Sequence, residues 1–131
     1  RIAKAHDISL SRLLAMLEDG FAAHIGRHDQ PVWKDEATGF ARRVVSPAAG
    51  DLSAEIIECK LPPGNRVEYT TPARPGQEHH LWMVSGQMTA EVDESVYSLE
   101  PGDALRFRLH GPMRFITAKG QGARYVLCAL E

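Results

Sequence analysis

From Gln30 onward the chain alternates. Apolar and polar residues exchange places at every second position in short runs. Each run stops at glycine, proline, asparagine or an acidic pair. A period of two marks a half-buried strand, because successive side chains leave opposite faces of the backbone. Ala54 to Leu61 puts Ile57, Cys59 and Leu61 on one face, with Glu58 and Lys60 on the other. Arg66 to Thr71 aligns Val67 with Tyr69. Further strands are predicted over 31–33, 40–45, 80–85, 88–92, 95–99, 104–109, 113–117 and 123–130. The intervening turns are Asp35 to Gly39, Pro62-Pro63-Gly64-Asn65, Gly86-Gln87, Asp93-Glu94, Pro101-Gly102, Gly111-Pro112 and Gly120-Gln121-Gly122. Turns spaced roughly every 8–12 residues predict an all-β, antiparallel sandwich or barrel.

The first 24 residues follow a different period. Leu10, Leu13, Leu14, Leu17 and Phe21 recur at three- and four-residue spacing, which gives a helix one apolar face. Ser9 stands where a side-chain cap would start that helix, and Gly20 where it would weaken or end. Arg1 to His6 reads as the last turns of a preceding helix.

With 131 residues, 44% hydrophobic and 24% charged, the chain has material for one core. Fifteen basic and seventeen acidic residues leave a net charge of −2, too little positive charge to grip a phosphate backbone. No apolar run approaches the ~18 residues of a membrane span. The N-terminal residues Arg1-Ile2-Ala3-Lys4 lack the apolar stretch of a secretion signal. The expected location is therefore the cytoplasm, and Cys59 and Cys128 are expected as free thiols. The chain reads as a piece of something longer.

Candidate chemistry is sparse. Glu100 and Asp103 flank a turn without a partner carboxylate at acid–base spacing. No nucleophile motif, phosphate-cradling loop or zinc-type cysteine spacing is present. We assign no catalytic residue, no metal ligand and no cofactor, and expect no enzyme activity. Among six histidines, His6, His24 and His28 read as surface residues of a helical linker, and His80 and His110 as rim or turn residues. Arg106 and Arg108 share a solvated strand face opposite Leu105, Phe107 and Leu109.

The motifs taken together resemble a known arrangement. Residues 1–17, from Arg1-Ile2-Ala3-Lys4-Ala5-His6 through Ile8-Ser9-Leu10-Ser11 to Leu17, resemble the tail of an Xre-type helix-turn-helix domain. The rest resembles the cupin sensor domain that follows such domains in bacterial regulators. It does so through Val32-Trp33, Gly39-Phe40 with Arg43, Leu61-Pro62-Pro63-Gly64, Trp82-Met83-Val84-Ser85-Gly86, Leu99-Glu100-Pro101-Gly102-Asp103 and Ala123 to Leu127. The resemblance implies a helix-turn-helix remnant and linker at 1–27, and an antiparallel cupin barrel at 28–131.

Cupins usually carry a His-x-His pair, a Glu seven residues before the strand-ending glycine, and a later His. Here the Glu position is His79, the pair falls near Thr71 to Pro75 without a histidine, and the late position falls near Met113, with His110 three residues early. A stable divalent site needs about three or four well-placed ligands. The resemblance then implies a sensor rather than a metalloenzyme. Its barrel would be lined by His79, Leu81 and Met83 from one strand and Met113, Phe115 and Thr117 from another. These six are the expected contacts for an unidentified small-molecule effector. DNA would be bound only through an N-terminal domain not in this chain. The chain would pair as a homodimer and would not touch a membrane. A metal-dependent cupin enzyme and a dimerisation module with a packed barrel remain the alternatives.

Overall fold

The computed structural model describes residues 21–69 and 74–130. The expected Ser9 cap and the Leu10, Leu13, Leu14 and Leu17 face lie outside these residues. Residues 21–24, placed by sequence at the end of that helical segment, are open chain. A single 3-10 turn at Arg27–Asp29 then leads into the strands.

Ten strands follow: β1 (Val32–Lys34), β2 (Ala41–Ser46), β3 (Ala54–Leu61), β4 (Arg66–Tyr69), β5 (Gln77–Gly86), β6 (Met88–Val92), β7 (Ser95–Leu99), β8 (Ala104–Leu109), β9 (Met113–Ile116) and β10 (Ala123–Leu130). They form a six-stranded sheet in the order β1-β2-β3-β10-β5-β8 and a four-stranded sheet in the order β4-β9-β6-β7. Every pairing is antiparallel. Strands β3, β6, β7, β8 and β10 have the bounds that alternation predicts. Strand β5 starts three residues earlier than expected, because Gln77 and Glu78 pair with Leu109 and Arg108 of β8.

The core lies between the two sheets. Ile57, Cys59 and Leu61 of β3 pack with Leu81 and Met83 of β5, Tyr125 and Leu127 of β10, Met88 and Ala90 of β6, and Met113 and Phe115 of β9. Phe115 binds the layers together. Its ring meets Tyr69 edge-on at 6.5 Å and Tyr125 edge-on at 5.6 Å between centroids, a favoured aromatic geometry. The opposite face of β3 carries Glu58 and Lys60 beside an exposed Ile56. There Glu58 accepts from Arg43 Nε at 3.2 Å and from Arg124 at 2.6 Å, joining β2, β3 and β10 across the outer surface. The hydrogen bond from Arg124 holds the Glu58 carboxyl below its ordinary range against the opposing effect of burial, and Arg43 lowers it further.

Candidate functional site

All six residues expected to line the barrel are buried: His79, Leu81, Met83, Met113, Phe115 and Thr117. Leu81, Met83, Met113 and Phe115 belong to one buried cluster, and His79 and Thr117 stand outside it. The six run from one end of the interior to the other, and their polar groups differ sharply in how they are satisfied.

Thr117 lies just beyond β9, at the end where Pro62 to Asn65 cross the barrel. Its hydroxyl donates to the Pro62 carbonyl at 2.6 Å and accepts from the Asn65 backbone N–H at 3.0 Å. That hydroxyl ties a turn to a strand end. Leu81 and Met83 sit in the middle, at 1% and 0% exposure. Met113 stands opposite Tyr69 of β4 and Val92 of β6.

His79 occupies the other end of the interior. In register it lies between Ala129 of β10 and Phe107 of β8. Its ring stacks on Phe107 with centroids 5.3 Å apart and planes 21° apart. Nε2 is 3.0 Å from Gln77 Oε1. An amide oxygen only accepts, so in this arrangement Nε2 carries the hydrogen and Nδ1 is the bare lone pair. Nδ1 is buried and is the one buried side-chain polar atom without a partner among the described residues. Such an atom costs about 1–3 kcal/mol unless something donates to it. Alternation at 79, 81 and 83 places the imidazole inward; the missing partner is visible only in three dimensions.

Burial, and then the nearby His80, lower the His79 pKa from its ordinary 6.5. The folded protein therefore resists a proton that the unfolded chain accepts. Stability is fully present above about pH 6.5 and falls as pH drops from there toward the folded pKa. Removing the imidazole in His79→Phe is expected to flatten this part of the curve, measured as denaturant midpoint against pH. A midpoint that falls equally in both proteins between pH 6.5 and 5 would contradict the assignment.

His6 lies outside the described residues, and the other described histidines do not join His79. His80 faces the outer surface and pairs with Glu78 at 2.5 Å. His24, His28 and His110 are exposed. Among the described residues no group of three His, Cys, Asp or Glu side chains is arranged to hold a metal. With Phe107, Ala129 and Gln77 as its neighbours, His79 has no second ligand beside it. The residues present do not fit the metal set that the cupin resemblance carries. Both cysteines are free thiols, Cys59 buried and Cys128 partly so.

Sequence reasoning missed a second polar row. Arg42 is paired directly with Cys59, Cys59 with Tyr125, and Tyr125 with Met83, so all four side chains leave the same inner face. Trp33 of β1 extends the row by pairing with Arg42. Arg42 stayed hidden because Ala41 to Ser46 shows no alternation of its own. Only the register with β3 turns Arg42 inward and Arg43 outward. Separately, a shallow cleft of about 570 Å³ lies at the Thr117 end, bordered by Lys34, Pro62, Pro63, Gly122 and Arg124. It is far along the strands from His79.

Solved structures share this architecture. The cupin_2 domain of an XRE-family transcriptional regulator from Enterobacter cloacae superposes with a TM-score of 0.65 at 20% identity, over 70% of this chain and 96% of that one. An HTH_3-family transcriptional regulator from Vibrio cholerae gives 0.64 at 22% identity, over 70% of this chain and 51% of that chain, about half its length. The polyketide cyclase RemF from Streptomyces resistomycificus gives 0.65 at 18% identity, over 84% and 80%. No family model and no curated protein sequence matches the chain. At these identities the likeness is one of fold: the chain is an antiparallel cupin barrel. Regulators and an enzyme share that fold, so function has to be argued from the interior.

Proposed function

We propose that this cupin-fold chain is the small-molecule-sensing barrel of a transcription regulator. The observation that carries the reading is His79: a buried ring, stacked on Phe107, with Nδ1 lacking a donor. A ligand bearing an O–H or N–H group would satisfy Nδ1, while Met83 and Met113 would accept its apolar body. Support for a regulator comes from the likeness to regulator cupin domains and from the residues 1–17 that resemble the end of a helix-turn-helix unit. DNA contact belongs, in this reading, to that unit and not to the barrel. The barrel acts on it by binding ligand better in one arrangement of the two than in the other.

The reading places the protein in the cytoplasm as a homodimer. Trp82, Ile56 and Val32 are exposed on the outer face of the six-stranded sheet, where a second copy could cover them. The described residues contain no helix long and apolar enough to cross a membrane.

The test is a thermal-denaturation screen of amino acids, sugars, amines and organic acids, with sedimentation as the readout of assembly. At least one compound is expected to raise the Tm of the wild-type chain and leave that of His79→Phe unmoved. A screen in which no compound loses its effect in His79→Phe would sink the His79 reading. About one equivalent of Fe, Mn, Ni or Zn, lost on His79→Ala, would turn it toward a metal-dependent enzyme.

A further inference from the structure

Arg42 differs from the arginines that pair with carboxylates among the described residues. Arg43 and Arg124 pair with Glu58, Arg66 with Glu68, Arg108 with Glu78, and Arg114 with Glu91. These five arginines all sit on outer faces. Arg42 points inward, is partly buried, and among the described residues has no carboxylate against it. Its neighbours on the inner face are the Cys59 thiol and the Tyr69 and Tyr125 phenols. Burial pushes the Cys59 thiol up to about 11 and raises both phenols, so each of these groups is neutral at pH 7. A guanidinium is always charged, with five donors in a fixed fork. Here it faces groups that cannot neutralise it.

The surroundings have the form of a ligand site. Strands β1 and β2 lie at one edge of the larger sheet, and β4 is an edge of the smaller one. Arg42 therefore sits one strand in from the larger sheet's edge, and among the described residues no strand hydrogen-bonds β1 to β4. Trp33 pairs with Arg42, touches buried Phe40 edge-on at 6.3 Å, and leaves 57% of its surface exposed. An open aromatic ring beside an unneutralised fork of donors suits a planar anion with an apolar body.

We propose that Arg42, Trp33 and Tyr69 form a carboxylate-binding site at the open edge between β1–β2 and β4, taking a small monocarboxylic acid with an aromatic or aliphatic body. The site is separate from His79. On the sheet the Val44, Ile57, Leu127 and Leu81 row lies between them. The guanidinium grips the carboxylate in a two-point contact, and Trp33 covers the apolar part. The arrangement also implies that Arg42 is kept at a cost to the fold, since an unpaired charge on an inner face is poorly solvated.

The experiment uses phenylacetate and its neutral counterpart phenylacetamide, followed by tryptophan fluorescence and Tm. Wild-type protein is expected to bind phenylacetate saturably, at least about tenfold more tightly than the amide, the range for hydrogen bonds to a charged group. Arg42→Met is expected to lose that preference while its Tm stays level or rises. Arg42→Lys keeps the charge without the fork and is expected to fall between the two. His79→Phe is expected to keep phenylacetate binding, so failure of the sensor reading at His79 and failure here give different patterns. Equal binding of acid and amide would overturn the proposal. So would undiminished binding by Arg42→Met, or a large drop in its Tm that Arg42→Lys restores, which would mark the arginine as structural.

Discussion

Gly86→Ala is expected to remove roughly 3–5 kcal/mol of stability, the upper range for a single substitution. Gly86 ends β5 at φ +80°, a conformation that L side chains rarely adopt. A Cβ there would lie 1.9 Å from the Gly122 carbonyl oxygen and 2.9 Å from the Ala123 Cα. Both obstacles are backbone, so no side chain can swing aside. Relief requires moving the start of β10, which pairs with β3 and β5 along its whole length. The measurement is urea denaturation, read as a lower midpoint at unchanged slope. A loss below about 1 kcal/mol would show that this end of the barrel yields more readily than its geometry implies.

Phe115→Ala carries the second large effect, about 3–5 kcal/mol, the range for emptying a buried aromatic site. Phe115 is 1% exposed and edge-packed on both Tyr69 and Tyr125. Truncation removes the Phe115–Tyr125 ring contact, one of those that hold the smaller sheet over the larger one. It also frees the phenols that flank Arg42. Phe115→Leu keeps most of the volume and is expected to cost less than about 1.5 kcal/mol. The size of the alanine effect bears on function. A cost below about 2 kcal/mol would mean that the ring borders open space and packs against little.

The strands and their inward faces are legible in the sequence because alternation is strong where one face is wet. Ile57, Cys59 and Leu61 against Glu58 and Lys60 is such a case, and the buried side matches. His79 turns inward by the same rule. Gln77 and Glu78 read as loop because both are polar, and only pairing with β8 makes them strand. The bonds of Thr117 reach residues more than fifty positions away, which no local pattern records. Arg42 is the clearest loss. Two adjacent arginines look alike in sequence, and a one-residue difference in position puts one on the outer face with Glu58 and the other on the inner face of the sandwich.

Methionine methyl groups report directly on whether a small molecule enters the barrel at His79. The chain has four methionines, and Met83, Met88 and Met113 are buried in the interior. A ¹³C-methyl methionine NMR titration, with the compound that raises Tm most, is expected to shift the Met83 and Met113 signals in the wild-type chain and leave them unmoved in His79→Phe. Interior methyl signals that stay fixed at saturating ligand, or that shift identically in both proteins, would contradict the account.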